Sequence, residues 1–188
     1  AEALGQIGND KTVDALIQAL SDQDSEVRSS VAKALGQIGS DKAVDALIQA
    51  LSDQDSYVRS RAAESLGKIG NDKAVDALIQ TLSDQDSAVR SSVAEALGQI
   101  GSDKAVDALI QALSDQDSSG FSAAEALVKI GSAANLEKLL QLPNLNLDAA
   151  IFFLARSWAI RFRKEGSPYI PVYPELLSPP AMTEVAEA

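Results

Sequence analysis

A 31-residue block recurs along the first two-thirds of the chain, and it restricts the fold more than any other feature. The motif SDKAVDALIQALSDQDS, with minor variants, occupies residues 9–25, 40–56, 71–87 and 102–118, and Gly8, Gly39, Gly70 and Gly101 mark a period of 31. Within one unit Val44, Leu47, Ile48 and Leu51 recur at i, i+3, i+4 and i+7, which is one face of a helix of about ten residues, helix A. After the turn Ser52-Asp53-Gln54-Asp55, the residues Val58, Ala62, Leu66 and Ile69 recur at i, i+4, i+8 and i+11, the inner face of a second helix, helix B. Two helices of this size cannot bury their apolar faces against each other alone. Neighbouring pairs must cover them, so the units stack into an all-α solenoid. With helices ~8–10 Å apart, four stacked pairs make a rod about 40 Å long.

The breaks between helices have local causes. Asp55 or Ser56 can cap the N-terminus of helix B with a side-chain oxygen, and Gly70 can adopt the left-handed conformation that ends it. Asn71 or Asp72 then starts the next helix A.

The series Asp-x-x-Val-Arg-x-x-x-Ala-x-x-Leu-Gly-x-Ile-Gly resembles the HEAT-like repeats first named for phycobilisome lyases. The likeness is close from Asp24-Ser25-Glu26-Val27-Arg28 through Gly39 and in the copies ending at Gly70 and Gly101, and it covers residues 1–131. It implies a right-handed α-solenoid of stacked two-helix repeats, with helix A on the convex side and helix B on the concave side. It also implies an Asp/Arg ladder between units. Arg28, Arg59 and Arg90 are the matching arginines, with Asp24, Asp55 and Asp86 as their expected partners. The fourth helix B, Ser118-Ser119-Gly120-Phe121-Ser122-Ala123-Ala124-Glu125, is one residue shorter and has no Arg. The ladder is therefore expected to stop there, as suits a terminal unit.

On this basis the chain divides into a solenoid over residues 1–131, opening with a partial unit at 1–8, then a helical C-terminal cap over 132–165 and a Pro-rich extended tail over 166–188. The charge divides the same way. Residues 1–131 carry a net charge of -10 and residues 132–188 a net charge of -1, while six of the eight aromatics fall in the second region. Asp148 to Lys164 reads as an amphipathic cap helix. Pro168, Pro171 and Pro174 then recur at the three-residue period of polyproline II, in a segment that either packs on the cap or serves as a ligand for an aromatic groove.

Composition excludes much chemistry. The chain has no His and no Cys, so it can supply no imidazole base, thiolate nucleophile, disulfide or His/Cys zinc site. A net charge of -11 opposes binding to nucleic acid and to anionic membranes, and no apolar run reaches the roughly 20 residues of a spanning helix. A cytoplasmic protein is expected. The repeated Asp-Gln-Asp turn lacks the Gly and the bidentate Glu of an EF-hand loop, and capping accounts for its carboxylates. Neither a metal nor a cofactor is expected, and no catalytic residue is assigned.

Function is sought where the near-identical copies differ. The differences fall at Glu26/Tyr57/Ala88, Ser30/Arg61/Ser92, Lys33/Glu64/Glu95 and Gln37/Lys68/Gln99. Spacings of 4, 3 and 4 put these positions on one stripe of helix B, opposite its buried face. Asp14, Gln18 and their copies on helix A hardly vary. A stripe that varies on a constant frame suggests a surface adjusted to a protein partner. Tyr57 and Arg61 are its foremost anchors, since Tyr and Arg are enriched at binding hot spots.

The expected role is a non-catalytic interaction scaffold or sensor arm. The segments Ile151-Phe152-Phe153-Leu154-Ala155-Arg156 and Tyr169-Ile170-Pro171-Val172-Tyr173-Pro174-Glu175 are similar to the ends of cyanobacterial proteins in which HEAT-like repeats follow a NACHT-type signalling NTPase. That resemblance implies a C-terminal fragment of a larger protein, itself without a nucleotide-binding P-loop. The repeat type leaves a second expectation, a bilin lyase subunit handling a phycobilin. End-to-end self-association through the truncated N-terminal unit is a further expectation.

Overall fold

The computed structural model describes residues 10–113 and 118–130. All of these fall in the first of two units, Ala1–Gln141 and Leu142–Ala188, into which the chain divides. The expected partial unit at 1–8, cap helix and Pro-rich tail lie outside the described residues.

The described chain is a succession of helices: α1 (Asp10–Ala19), α2 (Ser25–Ile38), α3 (Asp41–Ala50), α4 (Ser56–Ile69), α5 (Val75–Thr81), α6 (Ser87–Ile100), α7 (Val106–Ala112) and α8 (Ser118–Ile130). Odd-numbered helices are helix A and even-numbered ones helix B. In the third and fourth units helix A opens with a short 3-10 turn, Asp72–Ala74 and Asp103–Ala105. The core is one apolar seam repeated from unit to unit. Val44 and Leu47 from helix A meet Val58, Ala62 and Leu66 from helix B, all fully buried, while Ile48 and Ile69 are half-buried at its edge.

Helices α2, α4 and α6 begin and end by the same device. Asp24, Asp55 and Asp86 accept hydrogen bonds from the backbone N–H groups of Glu26, Tyr57 and Ala88 at 2.8–2.9 Å, which satisfies donors that no earlier turn can reach. At the other end Gly39, Gly70 and Gly101 have φ values of 65°, 70° and 77°, and their N–H groups donate to the carbonyls of Leu35, Leu66 and Leu97. A side chain in that left-handed region would meet its own carbonyl, so the stop falls to Gly.

The expected ladder exists, but with other partners. Arg28 donates from Nε and Nη2 to both carboxylate oxygens of Asp53 at 2.8 Å, and Arg59 does the same to Asp84 at 2.7 and 2.8 Å. The acceptor is thus the first Asp of the next unit's turn, 25 residues on. Asp24, Asp55 and Asp86 were expected in this role, but they are occupied as N-caps. Each arginine also ties down its own turn: Arg59 Nη1 donates to the carbonyls of Asp53 and Gln54 at 2.9 and 3.3 Å. Arg90 Nη1 reaches the carbonyl of Asp84 at 2.7 Å, and its Nε lies 3.4 Å from Ser119 Oγ on α8.

Arg28 and Arg59 are buried. Burial pushes the Asp53 carboxyl up, but the Arg28 guanidinium, the Asp55 N–H and the charge of Arg59 outweigh it and hold the carboxyl below its usual range. Asp84 is held low in the same way by Arg59 and the Asp86 N–H. A second ladder runs along helix A, where Lys42 meets Asp14 at 3.1 Å and Lys73 meets Asp45 at 2.5 Å. These pairs are about half exposed and contribute little each.

The closest packing is between successive helices B. A Cβ on Gly67 would lie 2.7 Å from Ala96 Cα, one on Gly98 2.7 Å from Ala126 Cα, and one on Gly36 2.6 Å from Ser65 Cβ. Ser65 uses this proximity to donate from its hydroxyl to the Ala32 carbonyl at 3.1 Å across the seam. Neighbouring helices A share far less surface, so the repeat stack closes up on its helix-B side. In α8 the position of these glycines is filled by Val128. A further helix B could not approach α8 as closely as α8 approaches α6.

Candidate functional site

The helix-B register that buries Val58, Ala62 and Leu66 turns the opposite stripe outward. Glu26, Ser30, Lys33 and Gln37 are exposed on α2. On α4, Tyr57 and Lys68 are exposed while Arg61 and Glu64 are partly covered. On α6, Ala88, Glu95 and Gln99 are exposed and Ser92 is partly covered. All twelve positions singled out in the sequence therefore share one face of the stack. Ser122, Glu125 and Lys129 continue it on α8. Those three are found by counting back from Gly131, because the shortened fourth helix B shifts the count from its N-terminus.

Within this face the structure brings three side chains together. Arg61 Nη2 donates to the Tyr57 hydroxyl at 2.7 Å, and Arg61 Nη1 donates to Glu64 Oε2 at 2.6 Å. The guanidinium also lies 5.2 Å from the centre of the Tyr57 ring, within range of a cation–π interaction. The hydrogen bond to Tyr57, reduced by burial and supported by the charge of Glu64, raises the Arg61 pKa further above its ordinary value. Tyr57 is the most exposed of the large apolar side chains on the described surface, at 56%. A large aromatic ring held still by a neighbouring Arg loses little freedom on binding, which favours a hot spot.

Other stripe residues meet across helix seams. Ser122 Oγ lies 3.5 Å from Glu95 Oε1, and the Ser91 and Ser118 hydroxyls are 3.1 Å apart. The constancy of helix A has a structural cause in part, since Asp14 and Asp45 each hold a Lys of the following unit.

Among the described residues no group of three or more acidic side chains is arranged to hold a metal ion. No described helix is long and apolar enough to cross a membrane.

The buried seam, the capped helix pairs and the Arg–Asp ladder define an α-solenoid of two-helix repeats with an adaptable outer stripe. The chain belongs to the HEAT-repeat family, whose repeat model matches residues 1–65 and 44–127. Among solved structures it is similar to the complex of CpcE and CpcF of phycocyanin lyase from Nostoc sp. PCC7120, at 30% identity over 86% of this chain and 71% of that one, with a TM-score of 0.61. It is also similar to human deoxyhypusine hydroxylase in complex with glycerol, at 29% identity over 74% of this chain and 48% of that one, with a TM-score of 0.56. An engineered protein matches at 26% identity over 83% of this chain and 87% of its own, with a TM-score of 0.50. The chain spans about half the length of the hydroxylase. No curated protein matches the chain closely enough to indicate relationship.

Proposed function

We propose that this chain is a non-catalytic protein-binding module that engages its partner through the helix-B stripe, as an arm of a larger signalling protein. The observation that carries this reading is the clustered, exposed Tyr57–Arg61–Glu64 group on a face that varies between copies while the buried seam stays constant. The family supports it at the level of a repeat scaffold, and the CpcE–CpcF complex shows that a similar chain assembles with another protein. The likeness of residues 151–156 and 169–175 to the ends of NACHT-type proteins supports the arm of a larger protein.

Photo-crosslinking tests the face directly. A benzophenone side chain placed at Ser30, exposed on the α2 stripe, should capture a protein partner with Tyr57, Arg61 and Glu64 intact, and the same group at Gln49, exposed on helix A, should not. Capture from position 49 alone would remove the stripe as the binding face.

A second reading, a bilin lyase-type subunit, is favoured by the 30% identity to the phycocyanin lyase complex. Phycocyanobilin added to the protein decides between them. The scaffold reading expects the spectrum of the free pigment, whereas a shifted, stoichiometric band would establish the lyase-type reading.

A further inference from the structure

The helix-B stripe does not share the charge of the rest of the repeats. The fourteen Asp residues among the described residues lie on helix A or in the turns before helix B. The stripe over α2, α4, α6 and α8 carries Glu26, Glu64, Glu95 and Glu125 against Lys33, Arg61, Lys68 and Lys129, and is neutral. Its positive charge is concentrated at one seam.

Repeat geometry shows which residues border a seam. Ser122 and Glu95 touch across the α6/α8 seam, and Arg61 and Lys33 hold the same two repeat positions at the α2/α4 seam. Gln99 Oε1 comes within 2.9 Å of where Gly67 would carry a Cβ, and Lys129 Cδ within 3.5 Å of the same point at Gly98. On α6 and α8 this repeat position lays its side chain beside the preceding helix's glycine; on α4 the same position is the exposed Lys68, while Ser65 lies nearest Gly36. The α2/α4 seam is thus bordered by Lys33, Arg61 and Lys68, the α4/α6 seam by Glu64, Ser92 and Gln99, and the α6/α8 seam by Glu95, Ser122 and Lys129. Glu64 touches Arg61 from the α4 side, and Glu26 lies two turns back on α2. The seam thus carries Lys33, Arg61 and Lys68 against Glu26 and Glu64, one positive charge in excess.

Tyr57 completes the arrangement. Its oxygen accepts from Arg61, so its own O–H proton is left to donate to an acceptor on a partner. A guanidinium beside a phenol O–H, with an ammonium two turns further along α4, can match the carboxylates of an extended or helical acidic segment.

We infer that the α2/α4 seam docks a short acidic segment of a partner protein, with Arg61 and Lys68 pairing its carboxylates and Tyr57 packing beside them. This rests on the stripe being the binding face. The acidic turns and helix A repel a long polyanion at a distance, whereas a segment with two or three carboxylates meets the cations within a Debye length of about 8 Å.

The test uses two fluorescein-labelled peptides of about a dozen residues. One carries Glu at every third or fourth position among Leu and Ser, and in the other Lys replaces Glu. Binding is read by anisotropy and located by amide shift changes in the 15N-labelled chain. The Glu peptide should bind, perturb α2 and α4, and weaken at least about tenfold in the double variant Arg61→Ser/Lys68→Gln. That variant is expected to fold, because Ser92 and Gln99 already occupy these positions in the next copy. An unchanged affinity in the double variant, tighter binding of the Lys peptide, or no binding of the Glu peptide at about 1 mM would overturn the inference. Perturbations on helix-B stripes by the Lys peptide would leave the stripe standing as the binding face and remove only its acidic preference. Perturbations confined to α1 and α3 would remove both.

Discussion

Gly67 has its neighbour's backbone where a side chain would begin. A methyl group there would sit 2.7 Å from Ala96 Cα and 2.9 Å from both Ala96 Cβ and Gln99 Oε1. Elsewhere in a helix Gly→Ala stabilises by up to about 1 kcal/mol through helix propensity. Here forcing α4 and α6 apart costs about 1–3 kcal/mol. Gly67→Ala should therefore lower the urea midpoint, by a net of about 1–2 kcal/mol in stability. An unchanged or raised midpoint would show that the seam has room to spare. Tyr57 and Arg61 are constrained differently. Their hydrogen bond and ring contact position side chains on the surface without filling the core, so either can be changed to test binding with little loss of stability.

At the scale of elements, the turns before α4 and α6 divide their work between two aspartates. The second caps the helix, and the first receives the Arg of the preceding unit. In Asp84 burial would raise the carboxyl pKa, but this ion pair together with the Asp86 N–H and the charge of Arg90 outweighs it, so the folded state binds a proton less readily than the unfolded chain. A depressed folded pKa gives stability that is present above the unfolded value, near 4, and is lost as pH falls through the lower folded value. Asp84→Asn should cost about 1–3 kcal/mol at pH 7. Its difference from the parent protein should shrink as the pH is taken below about 4 in denaturant titrations. A difference independent of pH would mean that the Arg59–Asp84 pair adds nothing as an ion pair.

The same turn shows what the sequence could and could not reveal. Helix spans, the Gly stops and the buried face of helix B follow from local periodicity, and the structure has them where Val58, Ala62, Leu66 and Gly70 put them. The ladder partner does not follow, because both aspartates of the turn repeat with identical spacing. Only packing shows that Arg28 reaches Asp53, 25 residues on, rather than Asp24. The Lys–Asp ladder of helix A and the glycine-narrowed helix-B seam were hidden for the same reason, since each is a relation between units. The stripe was legible because it is a difference between copies. Its grouping of Arg61 with both Tyr57 and Glu64 was not.

At the scale of the whole molecule, repetition supplies the frame and departure from it supplies the individuality. Among the described residues three seams are narrowed by Gly36, Gly67 and Gly98, and Val128 stands at the same repeat position on α8. The net charge of -10 over residues 1–131 comes from its aspartates, among them the caps Asp24, Asp55 and Asp86 and the Arg and Lys partners Asp14, Asp45, Asp53 and Asp84, and the outer stripe stays neutral. A partner that reads the stripe meets a surface on which each unit differs.

The affinity of the partner captured at position 30 is the most direct test of that claim. Calorimetric titration of the purified partner against the parent chain, Tyr57→Ala and Gln49→Ala should give at least a tenfold loss for Tyr57→Ala, about 1.4 kcal/mol or more, and no change for Gln49→Ala. Equal affinities for the parent and Tyr57→Ala, with a loss in Gln49→Ala, would place the binding face on helix A and contradict the account.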